Sequence, residues 1–426
     1  MRKRVLYEVG ALLLLCLALS GCSGAELLEQ VPRDLVMTNR EAEANEREAG
    51  GQEDSGGPKE DSGVGTPSET QAPDPEQSFL CEGAFEYARQ SLDQPGQQWY
   101  DDMKRILGGF GAGERLSAQG LQAGYNEADI DRIFQCVLND HPELFYVEGY
   151  SYTKYTRGDH TTAIEFSGTY NVDQETARTR AEQIETAVSD ILSGIDANAD
   201  QYTRVKYVYD TIISTTDYRL DAPDNQNIYS VFVNHLSVCQ GYAKATQYLL
   251  GRLGVECTLV LGSVETGEGH AWNLVRVDGS FYYVDTTWGD ASYRMEDSGR
   301  DGSISMPEIN YDYLNVTTAE LLKTHSLGDG VPMPACVATE ANYYSREGAL
   351  FSCYDREQMK ALFARAREQG RDDVTVKCTD SDSYSQVVSA LIDGQEIFDY
   401  LDGGGSTVAY AQNENQLSLT FWVTNE

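Results

Sequence analysis

The sequence predicts an α+β protein in which one helix presents a cysteine and an antiparallel pair of strands presents a histidine and an aspartate. Three observations lead there. After Cys239 the apolar residues Tyr242, Ala245, Leu249, Leu250 and Leu253 recur at helical spacing, and the pattern stops at Gly254, a favoured helix C-cap residue. The following run Cys257-Thr-Leu-Val-Leu is β-branched and apolar, as a buried strand requires. Residues 270–277 and 281–285 then read as two strands joined at Asp278-Gly279, the dipeptide favoured in two-residue type I′ turns.

These elements control whether Cys239, His270 and Asp285 can meet, since they lie 31 and 15 residues apart. A two-residue turn sets Val277 opposite Ser280 and Trp272 opposite Asp285, so His270 is the diagonal neighbour of Asp285 on one face. Diagonal neighbours lie roughly 7–8 Å apart, within reach of a carboxylate and an imidazole. A one-residue slip would put them on opposite faces. Cys239, at a helix start, faces unsatisfied N–H groups and the positive end of the helix dipole, which favour a thiolate over a thiol. Alone, each residue type has a structural reading: a buried small thiol, a strand histidine, a strand-ending aspartate. Their order and register point instead to a nucleophile, a base and an orienting acid. The Cys239 N–H and the Gln226 side chain are the candidate oxyanion donors.

The segments Cys239-Gln-Gly-Tyr-Ala, His270-Ala-Trp-Asn and Val-Asp285-Thr-Thr-Trp resemble the core of the bacterial transglutaminase-like superfamily over about residues 200–325. The resemblance implies a papain-like transglutaminase core: N-terminal helices, a cysteine at a helix N-terminus, and an antiparallel sheet carrying histidine and aspartate. It also implies acyl transfer from glutamine or peptide carbonyls to an amine or to water, on protein or cell-wall peptide substrates, without a cofactor. The superfamily includes proteases and inactive scaffolds, so a cysteine protease with the same triad and a non-catalytic binding or scaffold lipoprotein are the alternatives.

The chain start indicates a compartment. Arg2-Lys3-Arg4 is a basic n-region, residues 11–19 are an apolar h-region too short to span a bilayer, and Leu19-Ser20-Gly21-Cys22 is a lipobox. This resembles bacterial lipoproteins and implies lipid modification of Cys22, with residues 1–22 as the signal and the rest outside the cytoplasm, anchored to the membrane. Residues 23–78 contain no aromatic residue and have 14 acidic against 4 basic side chains, the composition of a disordered tether. At roughly 5–6 Å × √n it would reach on the order of 40 Å. The net charge of −36 argues against nucleic acid as a partner.

The remainder divides into three expected units, residues 79–170, 171–330 and 331–426. The first is a small α+β unit, with helical spacing at Ile130, Ile133, Phe134, Val137 and Leu138 and strands around residues 144–155 and 161–170. In the second, helices marked by Ala177, Ala181, Ile184, Val188 and Ile191, and by Val205, Val208, Ile212 and Ile213, lead into the catalytic core. The third is a small α/β unit: helix 358–366, strand 374–378, helix 384–392 and a closing strand near 417–423. Cys81, Cys136, Cys257, Cys336, Cys353 and Cys378 permit disulfides outside the cytoplasm, Cys353 with Cys378 first. Asp297, Asp301 and Glu308 match calcium-loop positions 1, 5 and 12, but Gly299 stands where a ligand is expected and Pro307 disfavours a following helix. A surface loop is the expectation there, and no metal is assigned.

Overall fold

The computed structural model describes residues 3–9, 79–80, 83–290, 309–371, 373–401 and 408–422. The h-region, Cys22, the tether, Cys81 and the calcium-loop residues Asp297, Asp301 and Glu308 lie outside them. Among the described residues no helix is long and apolar enough to cross a membrane.

The first part of the chain builds a sheet against helices. A strand at Lys3–Val9 (β1) pairs antiparallel with β3 (Val147–Arg157), so Lys3 and Arg4 of the segment read as the n-region lie in an edge strand of this sheet. Helices α1 (Tyr87–Gln90), α2 (Gln94–Gly108), α3 (Ala118–Gln122) and α4 (Glu127–Asp140) surround it. With β2 (Glu114–Arg115) and β4 (His160–Tyr170) the strand order is β1-β3-β4-β2. α4 starts where Asn126 and Asp129 form a capping box, and it buries Ile130, Ile133, Phe134 and Val137, the stripe its spacing predicts.

Helices α5 (Gln174–Leu192) and α6 (Gln201–Thr215) follow, each N-capped by an aspartate, Asp173 and Asp200. Short parallel strands β5 (Asp217–Tyr218) and β6 (Leu236–Ser237) bring the chain to α7 (Cys239–Arg252). α7 ends as its glycine predicts: Gly254 has φ +71, and the Val255 N–H bonds back to the Leu250 carbonyl. The core sheet is antiparallel in the order β10-β7-β8-β9, from β7 (Glu256–Val264), β8 (Gly269–Val277), β9 (Ser280–Val284) and β10 (His325–Leu327). α8 (Thr286–Gly289) follows β9 directly.

A third sheet, β11-β12-β14-β13, closes the chain. It comprises β11 (Leu350–Phe351), β12 (Asp373–Cys378), β13 (Ala409–Asn413) and β14 (Ser418–Trp422), with α-helices at Arg356–Glu368 and Ser381–Val388. One buried apolar core runs through the three four-stranded sheets, and a buried Lys377–Asp312 ion pair at 3.0 Å ties the last sheet to the core. The Cys353–Cys378 disulfide is not formed. β11 runs parallel to β12 with Phe351 opposite Cys378, so Cys353 lies two residues beyond the pairing and is exposed while Cys378 is buried.

Candidate active site

The hairpin supplies the site's geometry. Asp278 (φ 50) and Gly279 (φ 86) both occupy the left-handed region, as a type I′ turn demands, and Val277 pairs with Ser280. The register runs to Asn273 opposite Val284, so Trp272 and Asp285 come next and His270 is diagonal to Asp285. The Nε2 of His270 lies 2.7 Å from Oδ2 of Asp285.

Asp285 follows β9 and N-caps α8, accepting the Thr287 and Trp288 N–H groups on Oδ1 at 2.9 and 3.0 Å. Its other oxygen carries a second imidazole that the sequence did not reveal: His325 Nε2 is 3.0 Å from Oδ2. An ionised carboxylate only accepts, so both histidines donate from Nε2. His325 Nδ1 is 2.8 Å from the Thr324 hydroxyl, so both ring nitrogens of His325 are engaged. His270 Nδ1 is the ring atom left for a proton acceptor's work.

Both rings sit in an aromatic box. His325 has Trp288 at 4.8 Å, Trp272 at 5.0 Å and Tyr313 at 5.6 Å, centroid to centroid, and His270 lies 5.4 Å from His325. Asp285 is 1% exposed. Burial alone would raise its pKa, but the His270 charge and the hydrogen bonds from His270 and His325 outweigh it and hold the carboxyl well below the usual range. At about 1.5–3 kcal/mol for each hydrogen bond to a charged group, four donors offset the several kcal/mol that burying one ion costs.

His270, Asp285 and His325 are also the one group of described residues with metal-ligand atoms close together. Two ligands of a tetrahedral zinc ion at about 2.0–2.1 Å stand roughly 3.3 Å apart. The Nε2–Oδ2 distances of 2.7 and 3.0 Å are those of N–H···O hydrogen bonds instead.

Cys239 is the first residue of α7, buried in a small cluster with Ala243, Leu259 and Ala271, the residue next to His270. Two side chains lock α7 onto the elements carrying His270 and Asp285. Asn273, buried in β8, donates to the Ala243 carbonyl at 2.9 Å, and Thr246 meets Thr286 of α8 at 3.2 Å between hydroxyls. Asn273 and Thr286 belong to the His-Ala-Trp-Asn and Asp-Thr-Thr-Trp segments, so those segments join helix to sheet as well as carrying the reactive groups.

The loop before α7 is drawn in tightly. Asn225 accepts on its carbonyl from Val238 N–H at 3.0 Å and Ser237 Oγ at 2.7 Å. A Cβ at Gly241 would fall on Ser237 Oγ and within 2.9 Å of that same carbonyl, which explains the glycine two residues after the cysteine. Gln226 is thereby held near the start of α7. It lines a cavity of about 340 Å³ that Gln240, Lys244 and Leu261 also border, and its Oε1 is buried without a hydrogen bond. Leu261 packs against the Cys239 cluster and Gln240 follows Cys239 in α7, so the cavity lies next to the residues around the thiol.

The structure thus brings His270 and Asp285 into contact, sets Cys239 against the neighbour of His270, and places Gln226 in the adjoining wall. His325 has no motif signal: it lies forty residues beyond Asp285 in Thr-His-Ser, and only the pairing of β10 with β7 delivers it.

Residues 189–286 match the model of the transglutaminase-like superfamily. Two solved structures are similar in part. A crystal structure of a TGase is 13% identical, with 38% of this chain and 47% of that one covered at a TM-score of 0.24. A candidate cysteine protease from Cytophaga hutchinsonii is 14% identical, with 32% and 56% covered at a TM-score of 0.22. The chain therefore spans about half the length of each. No curated protein matches it.

Proposed function

Starting from a chain that carries a transglutaminase-like domain at residues 189–286, we propose that it is a thiol enzyme that transfers or hydrolyses acyl groups at amide bonds of proteins or cell-wall peptides. The observation that carries this reading is the His270–Asp285 pair at 2.7 Å, on a strand locked through Asn273 to the helix that begins at Cys239.

In this reading His270 Nδ1 takes the Cys239 proton and the sulfur attacks an amide carbonyl. The tetrahedral oxyanion collapses to a thioester as the amide nitrogen leaves with the proton from His270. An amine or a water, deprotonated by His270, then attacks the thioester and the Cys239 sulfur leaves. Asp285 fixes the Nε2–H tautomer and stabilises the imidazolium. N–H groups of the first turn of α7, which a helix leaves without internal partners, and the Gln226 amide are the oxyanion donors. Lipid attachment at Cys22 would hold the enzyme outside the cytoplasm, and cleavage there would remove β1 from the edge of the first sheet.

Incubating the protein with a glutamine-containing peptide library and a labelled primary amine tests the reaction: labelled adducts mean transfer, and new acids mean hydrolysis. Cys239→Ala should abolish both with an unchanged melting temperature. In wild type, iodoacetamide at pH 6 should label Cys239 ahead of Cys136 and Cys336, whose thiols burial pushes up to about 11. If Cys239 reacts no faster than an ordinary exposed thiol, the enzyme reading fails and a non-catalytic scaffold takes its place.

A further inference from the structure

Lys244 borders the cavity beside Cys239 and has no use in the chemistry above. It lies five residues after Cys239, about 7–8 Å along the helix axis, and four after Gln240, so the two share a face. Long side chains on a helix lean back toward its N-terminus, which for Lys244 is the direction of the thiol.

Its electrostatic surroundings are unusual for this chain. Acidic residues outnumber basic ones by 68 to 32, yet Lys244 makes no hydrogen bond or ion pair among the described residues. The other charged groups facing the cavity are engaged or in water. Asp224 is paired with Arg180 at 3.1 Å, His141 with Glu143 at 2.9 Å, and Glu148 is exposed at the rim. Burial, with no carboxylate to oppose it, pushes the ammonium down to about 8. Lys244 is partly exposed on the cavity wall and meets no carboxylate there, and the same wall presents the amides of Asn225, Gln226 and Gln240.

We propose that Lys244 is an anion-binding group of the substrate cleft, so that the preferred acyl donors carry a carboxylate close to the amide that Cys239 attacks. This rests on the function proposed above. A substrate carboxylate would supply the counter-ion that the fold withholds, and the neighbouring amides would hydrogen-bond its second oxygen or the peptide backbone.

The test compares two donors that differ in one group: an N-blocked glutaminyl-glycine with a free C-terminal carboxylate, and the same dipeptide as its C-terminal amide. Wild type should prefer the carboxylate in kcat/KM, and Lys244→Met should reduce that preference about tenfold or more, through KM. Lys244→Arg should retain most of it. The preference should also weaken above about pH 8 in wild type and not in Lys244→Met. An equal preference in wild type and Lys244→Met, with both proteins melting alike, overturns the proposal.

Calorimetric binding of the carboxylate dipeptide to Cys239→Ala separates the two readings, because it needs no turnover. Binding that Lys244→Met abolishes supports the anion site even if no reaction is found. Turnover in wild type with no Lys244-dependent binding rejects the anion site and leaves the enzyme standing.

Discussion

Two buried aspartates, each next to histidine, behave in opposite ways. Asp285 in the core and Asp140 at the end of α4 are both almost completely buried. Asp140 accepts from Ala88 N–H and Arg89 N–H at 2.9 Å each and from the Tyr100 hydroxyl at 3.0 Å. Burial nevertheless pushes its pKa up to about 6, against those hydrogen bonds. Asp285 has a similar number of donors but is held well below the usual range, because two of its donors are imidazoles on one oxygen. The adjacent His141 points its Nδ1 at Glu143, 2.9 Å away, instead of at Asp140. Hydrogen-bond number does not separate a structural carboxylate from one fit to steady an imidazolium; the chemistry of the donors does.

The sharpest way to break this comparison is to neutralise each aspartate in turn. Asp285→Asn should cut kcat by roughly 10³–10⁴-fold by spoiling the His270 tautomer. Asp140→Asn should leave turnover at 25 °C close to wild type and lower the melting temperature, since an amide NH₂ would then face one of the N–H or hydroxyl donors. Equal losses of turnover would remove the distinction.

An intermediate effect is expected at His325. Replacing it with Leu, which fills the aromatic box but donates nothing, should lower kcat about 10–100-fold, the scale of one hydrogen bond to a charged group. His325→Gln can present an N–H at a position near Nε2 and should recover much of that loss at a similar melting temperature. If Leu and Gln behave alike, His325 acts through packing alone.

The smallest effect is on stability against pH. His141 is buried, which alone would lower its pKa, but the carboxylates of Glu143 and Glu86 raise it to about 9. A group raised above its unfolded value contributes fully below about pH 6.5 and loses that contribution as pH rises through 9. Asp140, also raised, favours the fold most below its ordinary carboxylate value and loses that advantage as pH rises through about 6. The melting-temperature difference between wild type and His141→Gln should therefore shrink between pH 7 and pH 10. The advantage of wild type over Asp140→Asn should narrow between pH 4 and pH 7. A flat difference in either series shows that the group carries no net linkage.

What was legible in the sequence was local. The Asp278-Gly279 turn sets a register of two, that register puts His270 and Asp285 on one face, and the helical spacing after Cys239 starts a helix at the thiol. Helices α4, α5 and α6 were legible for the same reason, since a periodic apolar stripe reports a buried face. The C-terminal sheet was legible only in part: β12 and β14 stand out as apolar runs, whereas β13, with Tyr-Ala-Gln-Asn, and the two-residue β11 are ordered by pairing. The same pairing explains why Cys353 and Cys378, both close to strand ends, are not joined.

The sequence by itself therefore determined the hairpin and the position of the thiol, because turn chemistry and amphipathic period act within a few residues. Only the tertiary structure decided that Asp285 is shared by two histidines and that Lys244 borders the cavity beside the thiol with no counter-ion among the described residues. Those features come from long-range contacts, β10 pairing with β7 and the loop at Asn225 folding onto the start of α7. No local signal encodes a contact whose partners are brought together by the packing of the whole core.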